Sequence, residues 1–319
     1  MHVAAGAAIM PATSRLSWAQ TYPSRPVRLF VGFFAGGLTD IVARLMGQWL
    51  SERLGQQFIV EDQPGAGTNL ATEKVVRARP DGYTFLMASS SNAINATLYD
   101  NLKFNFIRDT TPVGSIARTP LVMVVNPSFS AKTVPDFITY AKANPGKISF
   151  GSSGIGAAAH LTTELFKQTV GVDMVHIPYK GTAGALQDLM GGNLQILVDT
   201  PSALMPHVRG GKIKALAMFS NKRIAGAAEV PTMAEAGGPA LEAATWVLFL
   251  APAGTPRAIV SRMSAEVAKA VAAPDIKSRF DALGIEPVGN TPEQAGKFLA
   301  DEIAKWSKVI TTAGVKAEQ

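Results

Sequence analysis

The chain has 319 residues, about two domains' worth, and its 47% apolar and 17% charged content excludes a disordered polymer. Lys and Arg outnumber Asp and Glu by 30 to 24, and this net charge of +6 is scattered without a basic run. Such a distribution excludes a nucleic-acid surface and leaves a mild field favouring small anions. With no cysteine, disulfides, thiolate catalysis and thiolate-bound metals are excluded as well. His2, His160, His176 and His207 show no metal-ligand spacing, so neither metal nor cofactor is expected.

Taken from the N-terminus, Val3 to Met10 is small and apolar, and Ser17-Trp18-Ala19 fits a small-x-small cleavage site. Residues 1–20 are therefore expected to be an export signal, although the charged region that should precede the apolar stretch is missing. No later segment has the ~18 uninterrupted apolar residues of a membrane span. Val27 to Phe33 reads as a buried strand, and Phe34-Ala35-Gly36-Gly37-Leu38-Thr39-Asp40 as a glycine turn. Helical spacing of Ile41, Leu45, Trp49 and Leu50 follows. A strand, a tight turn and a helix start leave unpaired amides at the positive end of a helix dipole, which suits an anion.

Phe58 to Asp62 is a second strand, Leu70 to Arg79 a helix, and Thr84 to Ala88 a third strand opening onto the polar cluster Ser89-Ser90-Ser91-Asn92. Leu121 to Asn126 is another strand, and Thr133 and Asp136 cap the next helix. A second block then repeats the pattern. Its strands are Ile148 to Gly151, Val175 to Tyr179, Leu194 to Val198 and Lys214 to Phe219; its helices begin at Ala157, Lys180 and Pro201. Strands alternating with helices predict mostly parallel sheets of α/β class. The tail holds one strand, Trp246 to Ala251, and two amphipathic helices, so it is expected to return to the first block. This gives a discontinuous first lobe (22–123 and 228–319), a second lobe (124–227), and crossings near Leu121–Asn126 and Arg223–Pro231. Two lobes with two crossings make a hinged cleft.

Ligand loops of open α/β sheets lie at the carboxyl ends of strands. The candidates are Phe34, Ala35, Gly36, Gly37 and Thr39, with Ser89, Ser90 and Asn92, from one lobe. Ser152, Ser153, Gly154, Gly156, Ala157 and His160, with Thr182, Asp199 and Thr200, come from the other. These loops offer mainly N–H and O–H donors, the chemistry of carboxylate binding. The amides of Gly36, Gly37 and the Ser152–Gly156 turn are expected to clamp one carboxylate. Asp199 has three readings: partner of a ligand ammonium, cap of the Pro201 helix, or a brace outside the site. Gly154-x-Gly156-x-x-Ala159 matches a dinucleotide fingerprint but lacks the acid ending the next strand. Ser152 or Ser153 with His160 and Asp199 suggests a hydrolytic triad, yet Gly151-Ser152-Ser153-Gly154 is no nucleophile elbow. An α/β enzyme working in the same cleft is the competing reading, without an obvious nucleophile, base or metal site.

A resemblance runs from Tyr22 almost to the C-terminus. Tyr22-Pro23-Ser24-Arg25-Pro26-Val27-Arg28, Phe34 to Asp40, Ala43-Arg44 and Gln63-Pro64-Gly65-Ala66-Gly67 carry its first half. Pro80-Asp81-Gly82-Tyr83-Thr84, Pro178-Tyr179-Lys180-Gly181, Pro231 to Gly237 and Ala251 to Pro256 carry the rest. In their order these resemble the tripartite tricarboxylate transporter substrate-binding (Bug) family. One departure is Gly32-Phe33-Phe34, where the family commonly has Pro before the Phe. The resemblance implies a two-lobed periplasmic-binding-protein fold (Venus flytrap, type II-like). It also implies a non-catalytic monomer in the periplasm that hands a small carboxylate to integral membrane permease subunits. Loops matching Phe34 to Gly37 and Ser152 to Ala157 hold the carboxylate in that family, through backbone amides and bridging waters.

Overall fold

A computed structural model describes residues 22–317; the expected export segment lies outside them. The chain enters as β1 (Val27–Val31), buried except at Arg28, and turns into α1 (Leu38–Leu54). Next come β2 (Phe58–Asp62), α2 (Asn69–Val76), β3 (Thr84–Ser89) and α3 (Ser90–Leu98). The short α4 (Phe106–Asp109) leads into the long β4 (Thr110–Pro120). The second block holds β5 (Val122–Val125), α5 (Val134–Ala143), β6 (Ser149–Ser152), α6 (Ala158–Val170) and β7 (Val175–Pro178). It continues through α7 (Thr182–Gly191), β8 (Ile196–Asp199), α8 (Pro201–Arg209) and β9 (Lys214–Met218). The tail supplies β10 (Ala244–Pro252), α9 (Arg257–Ala272), α10 (Pro274–Ala282), β11 (Glu286–Pro287) and α11 (Pro292–Ala313).

Two sheets result, in the order β11-β4-β10-β3-β1-β2 and β7-β6-β8-β5-β9. The expected mostly parallel sheets are in fact mixed. β1 lies parallel to β2 and β3, but β10 is antiparallel to β3 and β4. In the second sheet β6 is parallel to β7 and β8, whereas β5 is antiparallel to β8 and β9. The antiparallel strands are those the chain uses to leave and re-enter a lobe, so their direction follows from the crossings. β4 escapes a pattern reading because Pro112, Gly114 and Pro120 interrupt it and its register against β10 shifts twice.

The crossings meet at one point. Leu121 N–H donates to Ala243 (3.2 Å), Phe219 N–H to Leu121 (2.8 Å), and Ala243 N–H to Phe219 (3.1 Å). The return therefore falls at Ala243, later than the Arg223–Pro231 stretch read from the sequence. The Pro- and Gly-rich segment before it stays on the second sheet, where Thr232 bridges Met218 and Gly238 abuts Val134.

One apolar cluster runs continuously from the first sheet through α3 and α11 into Leu161 and Phe166 of α6. Within it, Glu302 accepts the indole N–H groups of Trp246 (2.8 Å) and Trp306 (3.0 Å) on one carboxylate oxygen. Glu302→Leu strands both buried donors, and a cost of about 3 kcal/mol is expected in urea denaturation. A change below about 0.5 kcal/mol would mean that these indoles find other acceptors. Among the described residues no helix is long and apolar enough to cross a membrane.

Candidate functional site

β1, β3, β6, β7 and β8 all point their carboxyl ends into the space between the sheets, and a helix starts just beyond each. The N-termini of α1, α3, α6, α7 and α8 consequently face one cleft of about 540 Å³. Lining it are Gly37, Leu38 and Thr39; Ser89, Ser90 and Ser91; Ala157, Ala158 and Ala159; and Thr182, Thr200 and Ser202. Among the described residues the cleft wall contains no Lys or Arg, and Asp199 is its one ionisable residue. Its electrostatics therefore come from helix ends and hydroxyls. Peptide dipoles leave about half a positive charge at each helix start, and the first amides of a helix have no intrahelical acceptor. Leu38, Thr39, Ala158 and Ala159 fit that description: their N–H groups have no acceptor among the described residues. Phe33, Ile41, Leu121, Ala203, Leu283 and Ile285 add apolar surface to the lining.

The structure brings most of the sequence candidates together. Gly36, Gly37, Thr39, Ser89, Ser90, Ser153, Ala157, Thr182, Asp199 and Thr200 share the cleft. Others take different places. Phe34 is 79% exposed and, with Ala35, stands outside the lining at the turn's tip. Gly36 touches the cleft, but its N–H already donates to Asp40 Oδ2 at 2.7 Å, so the expected pair of amides loses a member. Asn92 is buried beneath the cleft: its Oδ1 accepts Ser89 N–H (2.8 Å) and its Nδ2 donates to Thr68 and Thr72. The polar cluster that looked like a loop is thus a capped helix start, with Ser89 at the cap.

Ser152, Gly156 and His160 are buried behind the cleft lining, and the half-exposed Gly154 stands outside it. Ser152 Oγ sits 2.7 Å from His176 Nε2 and 3.0 Å from Gly154 O, and it receives Gly154 N–H at 3.3 Å. His160 Nδ1 accepts Gly156 N–H at 3.1 Å. Asp199 is nowhere in this group: it takes the Thr182 hydroxyl (2.6 Å) and Thr200 N–H (2.7 Å), joining the starts of α7 and α8. The three residues do not form a triad. Burial raises the Asp199 pKa, partly offset by the Thr182 and Thr200 hydrogen bonds.

Leu38, Ser91 and Ser202, inside the loops the sequence marks, line the cleft as well, whereas Ala158, Thr245, Leu283 and Ile285 fall outside those loops. The strand-to-helix rule, carried one residue further into α6, finds Ala158. Leu283 and Ile285 arrive from the tail, because Gly284 (φ +68°) turns there and leaves only 3.1 Å between a Cβ and Pro201 at the start of α8. No local pattern encodes that approach.

His160 and His176 stack with ring centroids 3.7 Å apart and 9° between planes. Burial, then the neighbouring His176, then Lys167 push the His160 pKa down to about 3; burial and Lys167 bring His176 to about 4. Both groups titrate near 6.5 when unfolded, so the unfolded chain binds more protons as pH falls below that value and stability declines. The His160 share between pH 7 and 5 is about 2 kcal/mol. A His160→Asn variant is expected to lose that much less stability over the same interval in paired denaturant titrations. An equal loss would mean that the ring charges freely in the native state.

The model of the tripartite tricarboxylate transporter family receptor matches residues 42–315. BugT of Bordetella pertussis is 36% identical over 300 residues, covering 93% of this chain and 92% of that one. Among solved structures, an R. palustris protein with adipate is 37% identical with a TM-score of 0.83, covering 92% of this chain and 99% of that one. The periplasmic binding protein BugD is 33% identical at TM-score 0.79, with 93% and 100% covered. MatC from Rhodopseudomonas palustris, solved with bound malate, is 30% identical at TM-score 0.78, with 91% and 100% covered.

Proposed function

The chain belongs to the tripartite tricarboxylate transporter receptor family, and from that premise we propose that it captures a small carboxylic acid in the periplasm and delivers it to membrane permease subunits. The family is one of solute-binding receptors and not of enzymes. The observation that carries the reading is the convergence of α1, α3, α6, α7 and α8 on a cleft without Lys or Arg. Helix-end donors of that kind hold a carboxylate by charge-assisted hydrogen bonds, with no competing cation to be desolvated. In this reading the amides of Gly37, Leu38 and Thr39 meet one face of the carboxylate, and those of Ala158 and Ala159 the other. Ser89, Ser90, Ser153, Thr182 and Thr200 supply hydroxyls, and Leu121, Leu283 and Ile285 receive the carbon skeleton.

Di- and tricarboxylates and related organic anions fit the cleft, and the relatives solved with adipate and malate support that class. An acid touching both lobes stabilises their closed arrangement by its extra contacts, which is a population shift. In this reading the protein acts as a monomer, each chain carrying its own cleft. A thermal-shift screen against aliphatic, hydroxylated, amino and aromatic acids tests it, since a ligand of the native state raises the midpoint. At least one acid is expected to do so at micromolar concentration while matched alcohols do not; a flat response to every acid removes the reading.

A further inference from the structure

We propose that Asp40 and His160 are matched positioning residues, each third in its helix, that tie back the glycine amide ahead of a gripping turn and so aim the following amides at the ligand. The inference rests on the carboxylate reading above and adds to it the parts that hold the grip in shape. The two lobes use the same construction. In the first, Gly36 N–H donates to Asp40 Oδ2 at 2.7 Å; in the second, Gly156 N–H donates to His160 Nδ1 at 3.1 Å. The spacing is four residues in both. Both glycines have positive φ, +88° and +74°, where backbone freedom is greatest and a turn left untied would wander. Each of these two donors is taken by a side chain of the helix that follows it. Among the described residues the helix-start amides beyond each glycine have no acceptor, Leu38 and Thr39 in one lobe and Ala158 and Ala159 in the other.

Each tie has its own support. Arg44 Nε lies 2.7 Å from Asp40 Oδ1 and its Nη2 reaches Asp62 at 2.7 Å, so the carboxylate beneath Gly36 is held from behind. His160 is 3% exposed and is clamped by its stack on His176, which in turn stacks on Phe150 with centroids 4.8 Å apart. His176 also meets Ser152, the residue that receives Gly154 N–H, so the second turn is tied at both of its glycines. An acceptor at Nδ1 requires a neutral ring with its proton on Nε2, and the low pKa of His160 agrees with that.

The test pairs an apolar with an isosteric replacement at each position: His160→Leu against His160→Asn, and Asp40→Leu against Asp40→Asn. Asn presents an oxygen where His has Nδ1 and where Asp has a carboxylate oxygen. Two readouts are taken: the exchange rate of the Gly36 or Gly156 amide by NMR without ligand, and calorimetric affinity for adipate, malate, glutamate and benzoate. The Leu variants should accelerate exchange at their own glycine and weaken every acid that binds by about tenfold, through lost preorganisation. The Asn variants should restore both readouts. A Leu variant with wild-type exchange and affinity, or an Asn variant that fails to restore, overturns the proposal. Should a Leu variant not fold, the ¹⁵N spectrum of the wild-type imidazoles decides: Nε2–H at His160 is expected, and Nδ1–H excludes the tie. If none of the four acids binds the wild type, the carboxylate reading fails for them, while the exchange and ¹⁵N results still decide the tie.

Discussion

Gly156→Val is expected to abolish acid binding in a protein that still folds. Gly156 sits at φ +74°, a conformation a β-branched residue adopts only under strain of roughly 1–3 kcal/mol. A Cβ there would also collide with the Leu98 side chain of α3 and come within 3.7 Å of Ile94. Leu98 belongs to the first lobe, so relief of the clash moves the start of α6 away from α3 and opens the site. Overpacking of this kind costs roughly 1–3 kcal/mol more. If both costs fall on the liganded arrangement, affinity drops by about a hundredfold or more. Gly36→Val separates the two effects, since a Cβ at Gly36 meets nothing within 4 Å and only its φ of +88° resists. It should cost about tenfold. Calorimetry on both variants checks the order, and equal losses would show that the α3–α6 contact is irrelevant to binding.

The second large effect is electrostatic. Ser153 lines the cleft beside the start of α6, and Ser153→Asp places an anion among donors proposed to hold one. Two charges about 5 Å apart at an effective dielectric near 20 repel by about 3 kcal/mol, or about two orders of magnitude in affinity. Ser153→Asn, of nearly the same shape and without charge, should bind within a few-fold of the wild type. If the Asp and Asn variants bind an acid equally well, the ligand's charge does not lie between these turns.

Much of this arrangement is legible in the chain because it depends on local rules. The Gly36-Gly37 and Ser152–Gly156 turns announce themselves through glycines between an apolar run and a helical period, and both reach the cleft region. Hydrogen-bond direction was not legible. Gly36 and Gly156 look like ideal donors, yet the side chains at Asp40 and His160 occupy them, and only coordinates show which amide is spent. Asn92 illustrates the opposite error: a polar residue next to two serines suggests a ligand contact, but its amide is consumed in capping Ser89 and bonding Thr68 and Thr72. The apolar part of the lining was invisible for another reason. Leu283 and Ile285 reach it through the packing of Gly284 on Pro201, a tertiary contact with no sequence period behind it. The mixed sheets likewise follow from where the chain crosses, which depends on Leu121, Phe219 and Ala243 finding one another.

The central claim is that helix-end donors from both lobes recognise the negative charge of a small acid. The direct measurement is a pair of calorimetric titrations, one with the acid that gives the largest thermal shift and one with its neutral amide, which keeps the length and shape but removes the charge. Binding of the acid at least about a hundredfold tighter than the amide is the predicted result, as charge-assisted bonds to aligned amides require. Equal affinity for the two would contradict the account, because the cleft would then be selecting shape alone.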